Sequence, residues 1–288
     1  MEVNSAVRGV FFCVAYIYCE AEDGAKSVGT GHVQIEQVDD LVVPVLITNR
    51  HVIAGAKRGK IRFIRSNGDG GPLLGESVEY VYEEFQEGWI CHPDPEVDVA
   101  AKLLLIDFLG DFDGEIKPFF KAVSGSVYPT EEVLQELDIL QELCFVGYPS
   151  GLYDSKNLTP VFRRAVAATP IEVDWQGKPV FLIDGSIVNG SSGSPIFVIE
   201  EGMYRQRNGS LMIGASRVVF LGIISSVYED VGVGKMATGS AISEFRVNQR
   251  INLALVYKWT AVREAVRALI SSQGREINVV ASAVRRNG

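Results

Sequence analysis

The chain is poor in cysteine, histidine and positive charge, and it lacks any long apolar run. Its four cysteines, Cys13, Cys19, Cys91 and Cys144, are scattered over 288 residues. That is too sparse for a disulfide framework, and no two of them have metal-ligand spacing. Three histidines, His32, His51 and His92, cannot complete a zinc site with them. The expectation is therefore no metal and no cofactor. So little cysteine in a chain of this length points to a reducing compartment, and hence to the cytoplasm. Lysine and arginine number 27 against 36 acidic residues, a net charge of −9. That balance argues against nucleic acid or an anionic membrane as the main partner. No segment reaches the ~20 apolar residues that span a bilayer.

Two local features run against this background. Lys57-Arg58-Gly59-Lys60-Ile61-Arg62 is basic, but among so many acids it reads as a solvated loop and strand edge. Residues 7–19 are apolar enough to suggest a secretory signal. Glu2 spoils the basic start, however, and Glu20, Glu22 and Asp23 follow with no small-x-small cleavage site. The stretch reads instead as a first β-strand.

What is present is ample apolar material, 47% hydrophobic and 9% aromatic. This suffices for a buried core and for two small β-domains of roughly 100–150 residues each. Short β-branched and aromatic runs recur between Gly, Asp and Asn turns, over 7–19, 31–38, 41–48, 61–65, 78–82, 99–106, 143–148, 161–168, 179–183, 195–199 and 217–228. Many short strands of this kind indicate a sandwich or barrel rather than alternating βα units. The pattern breaks at 126–143, where Thr130 caps a short acidic helix. This is the natural linker between an N-terminal domain over 1–125 and a C-terminal one over 144–257. Residues 258–288 differ again. Val262, Ala265, Val266, Leu269 and Ile270 share one helical face, and a loosely held tail is expected from 271.

The most informative stretch is Asn189-Gly190-Ser191-Ser192-Gly193-Ser194-Pro195. Ser192 has glycine two positions before it and directly after it. Such a bend can aim the backbone N–H groups of Gly190 and Ser192 at one point, where an oxyanion would form if the hydroxyl attacked a carbonyl. A serine nucleophile needs a base, and the base needs an orienting group. His51 follows the apolar run 43–48 in Thr48-Asn49-Arg50-His51-Val52, and an intrinsic pKa near neutrality suits a group that takes and returns a proton. Asp98 immediately precedes the apolar run 99–106, where a carboxylate needs a partner and an imidazole N–H is a good one. Asp94 is the competing candidate. His32 and His92 read as structural.

The chain order His51, Asp98, Ser192 is that of the chymotrypsin class. Thr48-Asn49-x-His51-Val52, Asp98-Val99-Ala100 and Gly190-Ser191-Ser192-Gly193-Ser194-Pro195 resemble the three motifs of the trypsin-like serine proteases, and most nearly the bacterial HtrA/Deg-like branch. Gly29-Thr30-Gly31 and Gly147-Tyr148-Pro149-Ser150-Gly151 resemble that family's glycine turns. The resemblance covers roughly residues 7–270. It implies an all-β fold of two six-stranded antiparallel β-barrels with a C-terminal α-helix and a cleft between the barrels. It also implies serine endopeptidase activity on protein or peptide substrates. Substrate would lie against Ser186, Ile187 and Asn189 and along Ser225, Ser226 and Val227. With Ser186 at the expected pocket base, a small or medium apolar residue precedes the scissile bond; Asp184 keeps a basic preference open. Secreted relatives carry an aspartate where Ser191 stands, so their N-terminal activation switch is not expected. The alternatives are a binding module of protease fold, an esterase-like hydrolase, and a protease whose site is closed until a regulatory protein opens it.

Overall fold

The computed structural model describes residues 1–39, 41–104, 117–206, 208–238 and 241–287. The chain is mostly β, with one closed six-stranded barrel, a second large sheet and a long C-terminal helix. The N-terminal sheet is built on β1 (Val14–Ala21), β2 (Lys26–Val38), β3 (Leu41–Thr48), β4 (Ala56–Ser66), β5 (Pro72–Tyr82), β6 (Trp89–Cys91) and β7 (Ala100–Leu103). Its order is β5-β4-β1-β2-β3-β7-β6. Two short strands, β8 (Pro118–Phe119) and β9 (Val123–Ser124), add to β4 and β2. The apolar run expected over 99–106 is thus β7, and residues 105 and 106 lie outside the described ones. Ile17, Val33, Leu46, Ile61 and Leu104 are fully buried and fill one core of this sheet.

The closed barrel runs β10-β11-β12-β17-β16-β13, all antiparallel. These are β10 (Glu142–Gly147), β11 (Val161–Ala167), β12 (Val180–Asp184), β13 (Pro195–Glu200), β16 (Arg217–Thr238) and β17 (Ala241–Lys258). The hairpin β14 (Met203–Arg205) and β15 (Leu211–Ile213) lies between β13 and β16. β12 and β13 are short and buried over their first four residues, hence the apolar runs Val180–Ile183 and Pro195–Val198. Closure needs glycine at 222, where φ is +142° and a Cβ would meet the Tyr257 carbonyl oxygen at 1.8 Å. A larger core runs through this barrel, with Phe145, Phe181, Phe197 and Phe220 fully buried.

Helices occupy the ends and the join. α1 (Ala6–Phe11) stands where the first strand was expected to begin. Ser5 caps it by accepting from the Arg8 N–H, and the strand starts only at Val14. An unbroken apolar run fits either element, and here the cap decides it. α2 (Arg50–Ile53) is a single turn after β3. α3 (Glu131–Glu136) lies in the linker, its N-cap Thr130 accepting from the Val133 N–H. Arg217 ties α3 to the barrel by pairing with Glu136 and Glu200 and stacking on Tyr204. α4 (Trp259–Asn287) packs Val262, Ala265, Val266 and Leu269 into the core, as expected. It continues through 271–287, where a loose tail was expected, with a break in helical geometry at Gln273 and a buried Ile277 beyond it.

Candidate active site

β3 ends at Thr48, and Asn49 starts the single-turn helix α2 that carries His51. The Asn49 amide donates to the Asp98 carbonyl at 2.7 Å, which locks α2 to the segment entering β7. Two further bonds converge on the Asp98 carboxylate. The His51 backbone N–H donates to Oδ1 at 2.9 Å, and His51 Nδ1 lies 2.6 Å from Oδ2. An ionised carboxylate only accepts, so this contact assigns the ring proton to Nδ1 and leaves Nε2 as the basic nitrogen. Ser225 Oγ, from the barrel, also donates to Asp98 Oδ2 at 2.6 Å. Burial works to raise the Asp98 pKa. Hydrogen bonding and charge from His51, with the Ser225 hydroxyl and the His51 N–H, outweigh it and hold the carboxyl below its ordinary value. Asp94 lies elsewhere, capping a turn through the Glu96 N–H.

Ser192 reaches this group through Ser225. Its hydroxyl donates to the Ser225 carbonyl at 2.8 Å, and among the described residues it makes no hydrogen bond to His51. His51, Asp98 and Ser192 are therefore joined across the two sheets through Ser225.

The loop around Ser192 is held from both sides. Gly190 and Gly193 have φ of +81° and +82°, a region open to glycine at little cost. At Gly193 the first sheet comes so close that a Cβ would sit 1.9 Å from the Thr30 carbonyl oxygen. Thr30 is the bridge. Its N–H donates to the Ser192 carbonyl at 3.0 Å, and its hydroxyl donates to the Gly190 carbonyl and accepts from the Tyr148 N–H, both at 3.0 Å. The Asn189 carbonyl accepts from the Ser150 N–H at 2.5 Å. In a trans peptide the C=O and N–H point in opposite directions, so this bond turns the Gly190 N–H the other way. The N–H groups of Gly190 and Ser192 donate to no acceptor among the described residues. The arrangement thus offers a hydroxyl, a correctly protonated imidazole and two backbone donors.

The expected substrate-facing residues divide. Ser186, Asn189 and Ser226 are exposed and Val227 is half-buried. Ile187 is 3% exposed and packs into the larger core. Ser225 is buried, with its hydroxyl committed to Asp98 and its carbonyl accepting from Ser192. Thr30 and Ser150 lie within the two glycine turns, and nothing in their local sequence marks them as the contacts of the 189–193 loop. His92 is structural, with Nε2 3.0 Å from Glu264 on α4. His32 is fully buried against Phe220 with ring centroids 5.2 Å apart. Burial pushes its pKa down to about 3, against a smaller opposite effect of the Gly193 backbone.

No protein-family model and no curated protein matches the chain. Among solved structures it is similar to the Rv3671c protease from M. tuberculosis in its active form. The identity is 18% over 92% of this chain and 83% of that one, with a TM-score of 0.47. The protease Anisep from Arthrobacter nicotinovorans shares 10% identity over 90% and 95%, with a TM-score of 0.46. HL collagenase shares 13% over 92% and 95%, with a TM-score of 0.48. The chemistry of this chain rests on its own residues.

Proposed function

We propose that the chain is a trypsin-like serine endopeptidase, of the HtrA/Deg-like kind its motifs resemble. The observation that carries the reading is the bonded series from His51 through Asp98 and Ser225 to Ser192. Ser192 Oγ attacks the scissile carbonyl while His51 Nε2 takes its proton. Asp98 keeps the imidazole in that tautomer and stabilises the imidazolium. The developing oxyanion is held by the N–H groups of Gly190 and Ser192, each worth about 2.7–4 kcal/mol in such a site. His51 returns the proton to the leaving amine, and water then releases the acyl group from Ser192. No metal or cofactor enters these steps.

Substrate lies along the backbone of residues 225–227 as an added strand, with its leading side chain near Ser186 and Asn189. A small or medium apolar residue before the cleaved bond fits that setting. A cytoplasmic location belongs to the same reading; all four cysteines are free thiols, and burial holds that of Cys19 up at about 12. The test is digestion of a complex peptide mixture followed by mass spectrometry. The proposal expects new termini sharing an apolar residue before the cut, all absent with Ser192→Ala. Identical termini from both proteins would defeat it.

A second reading is favoured by one observation. The Ser192 hydroxyl is bonded to the Ser225 carbonyl rather than to His51. A protease that a regulatory protein switches on would rest in this state. It predicts slow cleavage by the isolated chain and a burst of activity once a partner is added.

A further inference from the structure

The basic run 57–62 is not one solvated surface. Lys57, Arg58 and Lys60 pair with Glu84, Glu83 and Glu79. Arg62 does not follow them. It is 7% exposed, has no carboxylate partner among the described residues, and its Nη2 has no hydrogen-bond partner. Its guanidinium lies instead over two tyrosine rings, with Cζ 4.5 Å from the Tyr16 centroid and 4.1 Å from that of Tyr153. Tyr16 is its direct neighbour across the β1–β4 pair. Tyr148 joins the cluster edge-on to Tyr16, at 5.2 Å between centroids, and Tyr153 lies 5.7 Å from Tyr16. A desolvated cation needs compensation, and two ring faces provide it by cation–π attraction.

The place of this cluster gives it a consequence. Tyr148 and Tyr153 flank the turn that follows β10, while Tyr16 and Arg62 belong to the other sheet. Within that turn Ser150 has φ of +51°, a strained value for a residue with a side chain. Its N–H holds the Asn189 carbonyl, and the Tyr148 carbonyl lies 2.6 Å from where a Gly190 Cβ would be. Any shift of the turn therefore rotates the 189–190 peptide. We propose that Arg62 is a positioning residue for the oxyanion hole: it clamps Tyr16 and Tyr153 together, fixes the 148–153 turn, and through Ser150 keeps the Gly190 N–H aimed at the reacting carbonyl. The proposal rests on the serine-peptidase reading.

The test compares Arg62→Met, Tyr153→Leu and Tyr153→Phe with wild type. Tyr153 is half-buried in a loop, so its variants remain usable if Arg62→Met fails to fold. The readouts are kcat and KM on a cleaved peptide, and affinity for the matching peptide aldehyde, whose hemiacetal oxygen occupies the hole. Arg62→Met and Tyr153→Leu should lower kcat about 10- to 100-fold, a part of the loss caused by deleting a donor outright. KM should stay unchanged and aldehyde affinity should fall in parallel. Tyr153→Phe keeps the ring face and should restore kcat to within about twofold of wild type. Folded variants with unchanged kcat, or with only a raised KM, would overturn the proposal. Wild type that neither cleaves peptide nor binds aldehyde fails without any variant, and defeats the underlying reading together with this one.

Discussion

Gly190 and Gly24 have the same φ, +81°, but opposite surroundings. Gly24 lies in the turn between β1 and β2, where a Cβ would meet nothing within 4 Å. At Gly190 the same atom would lie 2.6 Å from the Tyr148 carbonyl oxygen and 2.8 Å from the Ser150 nitrogen. Both Gly→Ala changes force an L-residue into the left-handed region, at a cost of about 1–2 kcal/mol. Gly190→Ala must also push the turn away, weakening the Ser150–Asn189 bond at a further cost of ~1 kcal/mol. The larger effect is on rate. Turning the Gly190 N–H off the oxyanion removes one donor and should lower kcat about 10²- to 10³-fold, with KM little changed. Urea denaturation gives the stability of each variant, and steady-state kinetics on one peptide gives kcat and KM. Gly24→Ala is expected to lose stability alone, and Gly190→Ala both stability and turnover. Equal kcat in the two variants would refute the assignment of Gly190 to the oxyanion hole.

Two other outcomes follow from the site's electrostatics. Asp98→Asn should lower kcat by about 10⁴, because the amide no longer holds the imidazole in the required tautomer. Asp98 also titrates below its ordinary value in the fold. The stability it contributes is therefore complete above the unfolded carboxylate pKa and lost as pH falls through the folded one, so acid unfolding of Asp98→Asn should begin less steeply. A wild-type acid profile in that variant would contradict this. His32 stays neutral in the fold down to about pH 3. As pH falls from 7 to 5 the unfolded chain gains a proton that the folded chain refuses, and stability drops by about 2 kcal/mol on this account. His32→Leu should show that much less change between urea titrations at the two pH values; equal changes would count against it.

The site was more legible than its supports. His51 stands out because histidines are few and it follows a buried strand, and Asp98 because a carboxylate entering such a strand needs a partner. Ser192 does so because only glycine tolerates the bends on either side. Strand 14–21 and helix 6–11 merged in one apolar run because hydrophobicity without alternation fits both elements; the Ser5 cap is a weaker signal than the run itself. Residues 271–276, Ser-Ser-Gln-Gly-Arg-Glu, interrupt the apolar face of 262–270, yet the helix continues. Ser225 and Arg62 were harder for another reason. The partner of Ser225, Asp98, is distant in the chain. The fate of Arg62 depends on the pairing of β4 with β1 and on a turn from the other sheet. Nothing in the local sequence separates Arg62 from its solvated neighbours Arg58 and Lys60.

The central claim is an assembled nucleophile at Ser192. Its most direct test is covalent labelling of the folded chain by a fluorophosphonate, comparing wild type with Ser192→Ala and His51→Ala. The account predicts labelling of wild type, none in Ser192→Ala, and a rate lower by orders of magnitude in His51→Ala. Labelling that survives Ser192→Ala, or its absence from folded wild type, contradicts it.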